Sequence, residues 1–80
     1  MSGPAPWACP LRRARKYRSE AARLRIHAAF DMAEGLAVLC QGRVTETVEM
    51  TCRASLKIRT AVWLEAEAEA MEEAQKPPPS

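Results

Sequence analysis

The sequence lacks long apolar runs, and it has no proline between Leu11 and Lys76. A helix that spans a membrane needs about 20 apolar residues in a row. The most apolar stretch, 26–40, is shorter and contains Asp31 and Glu34. We therefore expect no association with a membrane. The missing proline permits long unbroken helices, because proline in a helix interior removes a hydrogen bond and clashes with the preceding turn.

Cysteine and histidine are scarce and widely spaced. The three cysteines Cys9, Cys40 and Cys52 include no CxxC pair, and His27 is the single histidine. These four residues have the composition of a Cys₃His zinc site, but they lack the short spacings with which a small loop holds zinc. We expect no metal, no cofactor and no disulfide framework. Reduced thiols in an intracellular, cytoplasmic setting fit an odd number of cysteines.

Motifs of catalysis are also missing. The chain has no Gly-rich phosphate loop, no nucleophile elbow and no HExxH. Asp31 and Ser55 could accompany His27, but no spacing singles out this trio. With 80 residues and four aromatic side chains, the chain has little material for a pocket that excludes water. We predict a protein that is not an enzyme and has no small-molecule substrate.

Charge is abundant and strongly segregated, although the net charge is only +2. The basic block, a candidate site for phosphate or for an acidic partner, consists of Arg12, Arg13, Arg15, Lys16, Arg18, Arg23 and Arg25. The acidic block, a candidate contact for a basic partner, consists of Glu65, Glu67, Glu69, Glu72 and Glu73. If the chain folds back at Gly42, the two blocks lie side by side and favour an antiparallel register.

The apolar pattern predicts two long helices, at about 11–41 and 44–75. Pro10 suits a first helical turn, and Gly42 suits the left-handed position that ends a helix. The predicted seam of the first helix consists of Tyr17, Ala21, Leu24, Ala28, Met32, Leu36 and Leu39. The predicted seam of the second consists of Val44, Val48, Cys52, Ser55, Val62, Ala66 and Ala70.

An alternative for 43–64 is a short β-hairpin, which would make the fold α+β. The stretch RVTETVEMTC (43–52) is rich in β-branched residues, and LKIRTAVWL (56–64) alternates in part. The link between them, at 53–55, contains no Gly, Pro, Asn or Asp to form a hairpin turn. We favour the helix.

The predicted fold is therefore all-α, a long antiparallel two-helix hairpin. Residues 1–10 are predicted to form a flexible Pro-rich arm, 11–76 a single helical domain without an internal repeat, and 77–80 a disordered Pro tail. Alanine supplies much of the apolar content, so the core is expected to be thin. Oligomerisation or partner binding would complete it.

These features favour a small helical protein–protein interaction module that binds or regulates a larger protein or assembly, or forms a homo-oligomer. The predicted apolar contact residues are Trp7, Leu24, Met32, Leu36, Leu39, Val48, Val62 and Trp63. One alternative is a nucleic-acid-associated accessory protein that uses the basic block. Another is a small inhibitor of the phage or mobile-element type that presents the acidic block to a basic groove.

Overall fold

The computed structural model describes residues 9–76, which form two helices joined by a tight turn. Helix α1 runs over Pro10–Cys40 and helix α2 over Val44–Ala74. The predicted all-α hairpin is confirmed. The β-hairpin alternative is wrong, because 44–64 lies within one continuous helix. The predictions for the N-terminal arm up to residue 8, for Trp7 and for the tail 77–80 concern residues outside the described range.

The turn between the helices depends on Gly42. Its φ angle is +76°, a left-handed conformation that glycine adopts without a steric penalty. The Gly42 amide donates to the Leu39 carbonyl at 2.9 Å, and the Arg43 amide donates to the Val38 carbonyl at 3.1 Å. These bonds satisfy carbonyls that the end of α1 leaves free. The chain therefore reverses direction within 41–43, which we call the turn end of the hairpin; the opposite end is the open end.

The two helices meet along a seven-residue repeat of small residues. In α1 the buried positions are Ala14, Ala21, Ala28 and Gly35, and in α2 they are Ala54, Ala61 and Ala68. A second row, three residues further on, consists of Tyr17, Leu24, Asp31 and Val38 in α1 and of Lys57, Leu64 and Met71 in α2. Alternating steps of three and four place both rows on one face of each helix, and we letter the seven positions a to g, with the alanine row at a and the second row at d.

The structure corrects the predicted seams. In α2, Val44, Val48 and Val62 are exposed, and alanines occupy the contact. In α1 the prediction is right at its N-terminal half, where Ala21 and Ala28 are buried, and wrong for Met32, Leu36 and Leu39, which are exposed. The prediction placed the largest apolar side chains inside. The fold instead brings the two backbones close together over small residues, which yields many dispersion contacts along the whole length.

This core is thin. No large side chain among the described residues is fully buried. An alanine methyl group contributes only about 0.8 kcal/mol on burial, whereas a buried leucine or valine contributes about 1.5–3 kcal/mol. The exposed large apolar residues are Leu11, Ile26, Phe30, Met32, Leu36, Leu39, Val44, Val48, Leu56, Ile58, Val62 and Trp63. Most of the hydrophobic free energy that the sequence could supply is thus unused within one hairpin.

Candidate interaction surface

One edge of the hairpin carries two arginine–glutamate pairs near the open end. Arg18 donates to both carboxylate oxygens of Glu72, with N–O distances of 2.9 and 2.5 Å. Arg25 donates in the same way to Glu65, at 2.9 and 2.7 Å. Both pairs are bidentate, the geometry in which a guanidinium and a carboxylate fit best. They place the basic and acidic blocks side by side, as the sequence led us to expect.

These hydrogen bonds shift the pKa values of the paired groups. The side-chain hydrogen bond from Arg25 lowers the pKa of Glu65, and the bond from Arg18 lowers the pKa of Glu72. The same bonds raise the pKa values of Arg25 and Arg18. Each bond favours the charged form of both partners, so the two helices are held by charge at this end of the edge.

Toward the turn end, the same edge becomes apolar. Two rows of heptad positions, e and b, form the surface on this side of the hairpin. We call the exposed large residues there the apolar face: Met32, Leu36, Leu39, Val44, Val48, Ile58 and Val62. A groove of about 300 Å³ runs into it, lined by Met32, Thr51, Ala54, Ser55, Ile58 and Arg59. The face therefore combines exposed aliphatic side chains with a shallow depression between the helices.

The e and b rows of this half of the surface contain no charged residue; Arg59, which lines the groove, lies outside these rows. The other e and b positions there are Ala29, Thr51 and Ser55, so no acidic or basic residue occupies these two rows from 29 to 39 or from 44 to 62. The opposite side of the same half differs, because its g and c positions include Glu34, Glu46, Glu49 and Arg53. On that opposite side, exposed apolar residues such as Phe30 and Leu56 are therefore interspersed with charges, whereas the e and b rows are continuously uncharged.

An ion pair interrupts the seam just inside the apolar face. Lys57 donates to the Asp31 carboxylate at 2.6 Å, and the two side chains are 32% and 15% exposed. Both residues occupy d positions that would otherwise be apolar. A polar pair inside the seam between two helices fixes which residues lie opposite one another, because any shift of register leaves both charges unpaired.

The structure brings together five of the predicted contact residues and separates Leu24 and Trp63 from them. Met32, Leu36, Leu39, Val48 and Val62 all belong to the apolar face. Leu24 is half-buried in the seam. Trp63 lies on the other side of the hairpin, with its ring centroid 6.3 Å from that of Tyr17. Sequence reasoning missed Val44 and Ile58 as members of the face; the seven-residue spacing of alanine would have assigned both to e positions.

A second depression lies at the open end. Its volume is about 330 Å³, and it is lined by Arg12, Arg13, Lys16 and Tyr17. None of these three basic side chains forms an ion pair with a described residue. Within the basic block, Arg18 and Arg25 are instead held by glutamates, and Arg23 lies 4.0 Å from Glu20. We call this depression the basic groove.

The acidic block is partly occupied within the chain. Glu65 and Glu72 bind arginines of α1, and Glu73 accepts a hydrogen bond from Lys76 at 3.2 Å. Glu67 and Glu69 form no ion pair with another described residue. Fewer acidic groups are therefore free for a basic partner than the sequence indicates.

The residues considered for metal or redox chemistry lie apart. Cys9, Cys40 and Cys52 are free and exposed. Backbone amides of Arg12 and Leu11 lower the pKa of Cys9, which precedes the first turn of α1. Over residues 9–76, no group of three or more His, Cys, Asp or Glu side chains is placed to hold a metal ion. Neither described helix is apolar enough over its length to cross a membrane.

Comparison of the chain with models of protein families, with curated proteins and with solved structures finds no match.

Proposed function

We propose that this chain is a non-enzymatic helical interaction module that binds a protein surface through its apolar face. The observation that carries the proposal is the exposure of seven large apolar residues in the turn-end half of one side of the hairpin, where the e and b rows contain no charged residue. Contiguous apolar surface flanked by polar residues is typical of protein–protein contact sites. The three exposed free cysteines are consistent with a reducing, intracellular setting.

The composition of the core supports the same proposal. Small residues occupy the fully buried row of the seam, and most of the large apolar side chains that could have stabilised the hairpin lie outside the seam. An amphipathic helical surface of this kind is recognised by burial of its apolar rows in a complementary groove or against other helices. Binding would supply the hydrophobic free energy that the isolated hairpin lacks.

The test is a crosslinking experiment in a lysate of the native host. A photo-crosslinking residue replaces Val48, and crosslinked peptides are identified by mass spectrometry. We expect crosslinks to a defined polypeptide, either a second copy or another protein, that disappear when Leu36→Glu is added. Leu56→Glu is the matched control, because Leu36 and Leu56 are 63% and 61% exposed and lie on opposite sides of the hairpin. Equal loss of crosslinks in Leu36→Glu and Leu56→Glu, or the absence of crosslinks in the wild type, would refute the proposal.

The basic groove supports a second candidate function, binding of nucleic acid. Arg12, Arg13 and Lys16 have no ion-pair partner among the described residues, and Tyr17 lies beside them with a ring that could stack on a base. Basic residues at this density bind phosphates by releasing counterions, so the affinity falls steeply with salt.

A single-stranded oligonucleotide tests this second function. Binding that weakens with salt, and that is lost when Arg12, Arg13, Arg15 and Lys16 are replaced by Gln, would support it. Leu36→Glu should leave such binding unchanged, because it alters the apolar face alone. An affinity that is independent of salt or of the four substitutions would exclude it.

A further inference from the structure

We infer that the apolar face binds a second copy of this chain, forming a four-helix bundle in which the two turn ends lie at the same end. The inference deepens the proposed function and rests on it, because both use the same surface. Two observations carry it: the order of apolar and charged residues along this surface, and the area that the surface offers.

The order of apolar and charged residues along the surface follows from the contacts within one hairpin. A Cβ at Gly35 would lie 3.4 Å from the Met50 Cβ, so these two residues lie opposite each other. The adjacent outer residues Leu36 and Val48 therefore lie at about the same distance from the turn end. Three heptads toward the open end, the same two outer rows contain Arg15 in α1 and Glu69 in α2. The surface is therefore apolar at its turn end and charged at its open end, with the positive charge on α1 and the negative charge on α2.

Two symmetric ways of stacking the surface on itself can be compared. With the turn ends together, α1 of one copy lies on α2 of the other. Leu36 then meets Val48 of the second copy, and Arg15 meets Glu69 of the second copy. Between these pairs, Ala22 meets Val62. Apolar residues thus contact apolar residues, and opposite charges face each other across the interface.

With the turn ends apart, α1 lies on α1 and α2 lies on α2. Leu36 would then face Arg15 of the second copy, and Val48 would face Glu69. This arrangement buries two charges of each copy against aliphatic side chains with no partner, which is strongly unfavourable. The charge order therefore selects the first arrangement. In both arrangements every helix has antiparallel neighbours, so the helix dipoles attract in either one and only the charge order distinguishes them.

The surface is large enough for a stable dimer. Each helix has 31 residues, which gives a length of about 46 Å, and two helices of about 10 Å width present about 900 Å². Stable protein interfaces bury about 800 Å² per partner. The stacking would cover the groove at Met32 and Ile58 and supply the large-residue core that one hairpin lacks.

Sedimentation equilibrium of the purified chain is the first test. We expect twice the monomer mass of 8.9 kDa. Leu36→Glu, and independently Val48→Glu, should weaken dimerisation by at least about tenfold, because each buries two unpaired charges per dimer. The control Leu56→Glu should leave it unchanged. Circular dichroism establishes that each variant remains helical. A monomeric wild type, or equal weakening by Leu56→Glu, would overturn the inference.

Charge reversal tests the arrangement. Arg15→Glu and Glu69→Arg should each weaken self-association, because each places like charges opposite one another twice in the dimer. Mixing the two variants should restore the wild-type affinity, since every pair in the mixed dimer is again of opposite sign. Failure of the mixture to recover would overturn the arrangement. The wild type could be monomeric in sedimentation while its crosslinks from Val48 in the lysate are still lost in Leu36→Glu. That result would refute the second copy as partner and leave the proposed function standing.

Discussion

Lys57 of α2 reaches Asp31 of α1 across the seam and donates a hydrogen bond of 2.6 Å to its carboxylate. The pair stands in a row that is otherwise built from Tyr17, Leu24 and Val38 in α1. It lies near the point where the e and b rows change from charged to uncharged. The pair therefore fixes the register on which the alignment of the whole interaction surface depends.

Removal of one partner of this pair should destabilise the hairpin. Asp31→Ala leaves the Lys57 ammonium half-buried without an acceptor, and we expect a loss of about 1–3 kcal/mol in the free energy of unfolding. The double variant Asp31→Leu, Lys57→Leu should recover most of that loss, because both positions then continue the apolar row. Urea denaturation measures each value. Glu34→Leu, at an exposed position outside the seam, is the control and should change the free energy of unfolding by less than about 0.5 kcal/mol. A double variant no more stable than Asp31→Ala would contradict the assignment of both residues to the seam.

Stability should fall in acid because of Glu65 and Glu72. Their pKa values are lowered in the folded state by hydrogen bonds from Arg25 and Arg18. A carboxyl group whose pKa is lowered by folding stabilises the folded state fully at a pH above its ordinary pKa of 4.5. This contribution to the free energy of unfolding disappears as the pH falls through the lowered pKa.

Thermal unfolding at neutral pH and well below 4.5 checks the prediction. The wild type should lose more of its Tm on acidification than the variant Glu65→Gln, Glu72→Gln, which cannot form the charged pairs. Added salt should reduce the difference at neutral pH, because exposed ion pairs are screened. Identical pH profiles for the two proteins would show that these pairs do not contribute to folding.

The buried alanines should resist enlargement. Ala61 is fully buried at the seam, so Ala61→Leu must force the helices apart or into strained rotamers, and we expect a loss of about 1–3 kcal/mol. Ala66→Leu makes the same chemical change at an exposed position of the same helix and should be close to neutral. Denaturation of both variants gives the comparison. A stabilised Ala61→Leu would mean that the seam is not closely packed.

The two glycines of the hairpin should respond in opposite directions to alanine. Gly35→Ala should stabilise by about 0.5–1 kcal/mol, because alanine favours the helix and its Cβ would make an ordinary contact of 3.4 Å with Met50. Gly42→Ala should destabilise by about 1–2 kcal/mol, since the φ angle of +76° is unfavourable for a side chain. Thermal unfolding separates the two, and a change of the same sign in both would contradict the geometry of the turn or of the seam.

The sequence by itself determined the first helix and the turn; for 43–64 it favoured a helix over a β-hairpin, and the structure decided between them. The first helix and the turn depend on local chemistry: the first-turn Pro10, the left-handed Gly42 and the uninterrupted helix formers between them. It also predicted that the basic and acidic blocks face each other, because a reversal at Gly42 brings them side by side. The membership of Met32, Leu36, Leu39, Val48 and Val62 in an exposed contact surface was likewise a sequence hypothesis, and it is now the basis of the proposed function.

Tertiary structure alone decided which face is buried. Periodicity assigned the seam of α2 to Val44, Val48 and Val62, because hydrophobicity weights large side chains. The fold instead buries Ala54, Ala61 and Ala68. Close approach of two backbones over small residues is a property of the pair of helices, and no single helix encodes it as a strong apolar signal. The exposure of Val44 and Ile58 follows from the same packing, because the alanine row of α2, and not its valines, faces α1.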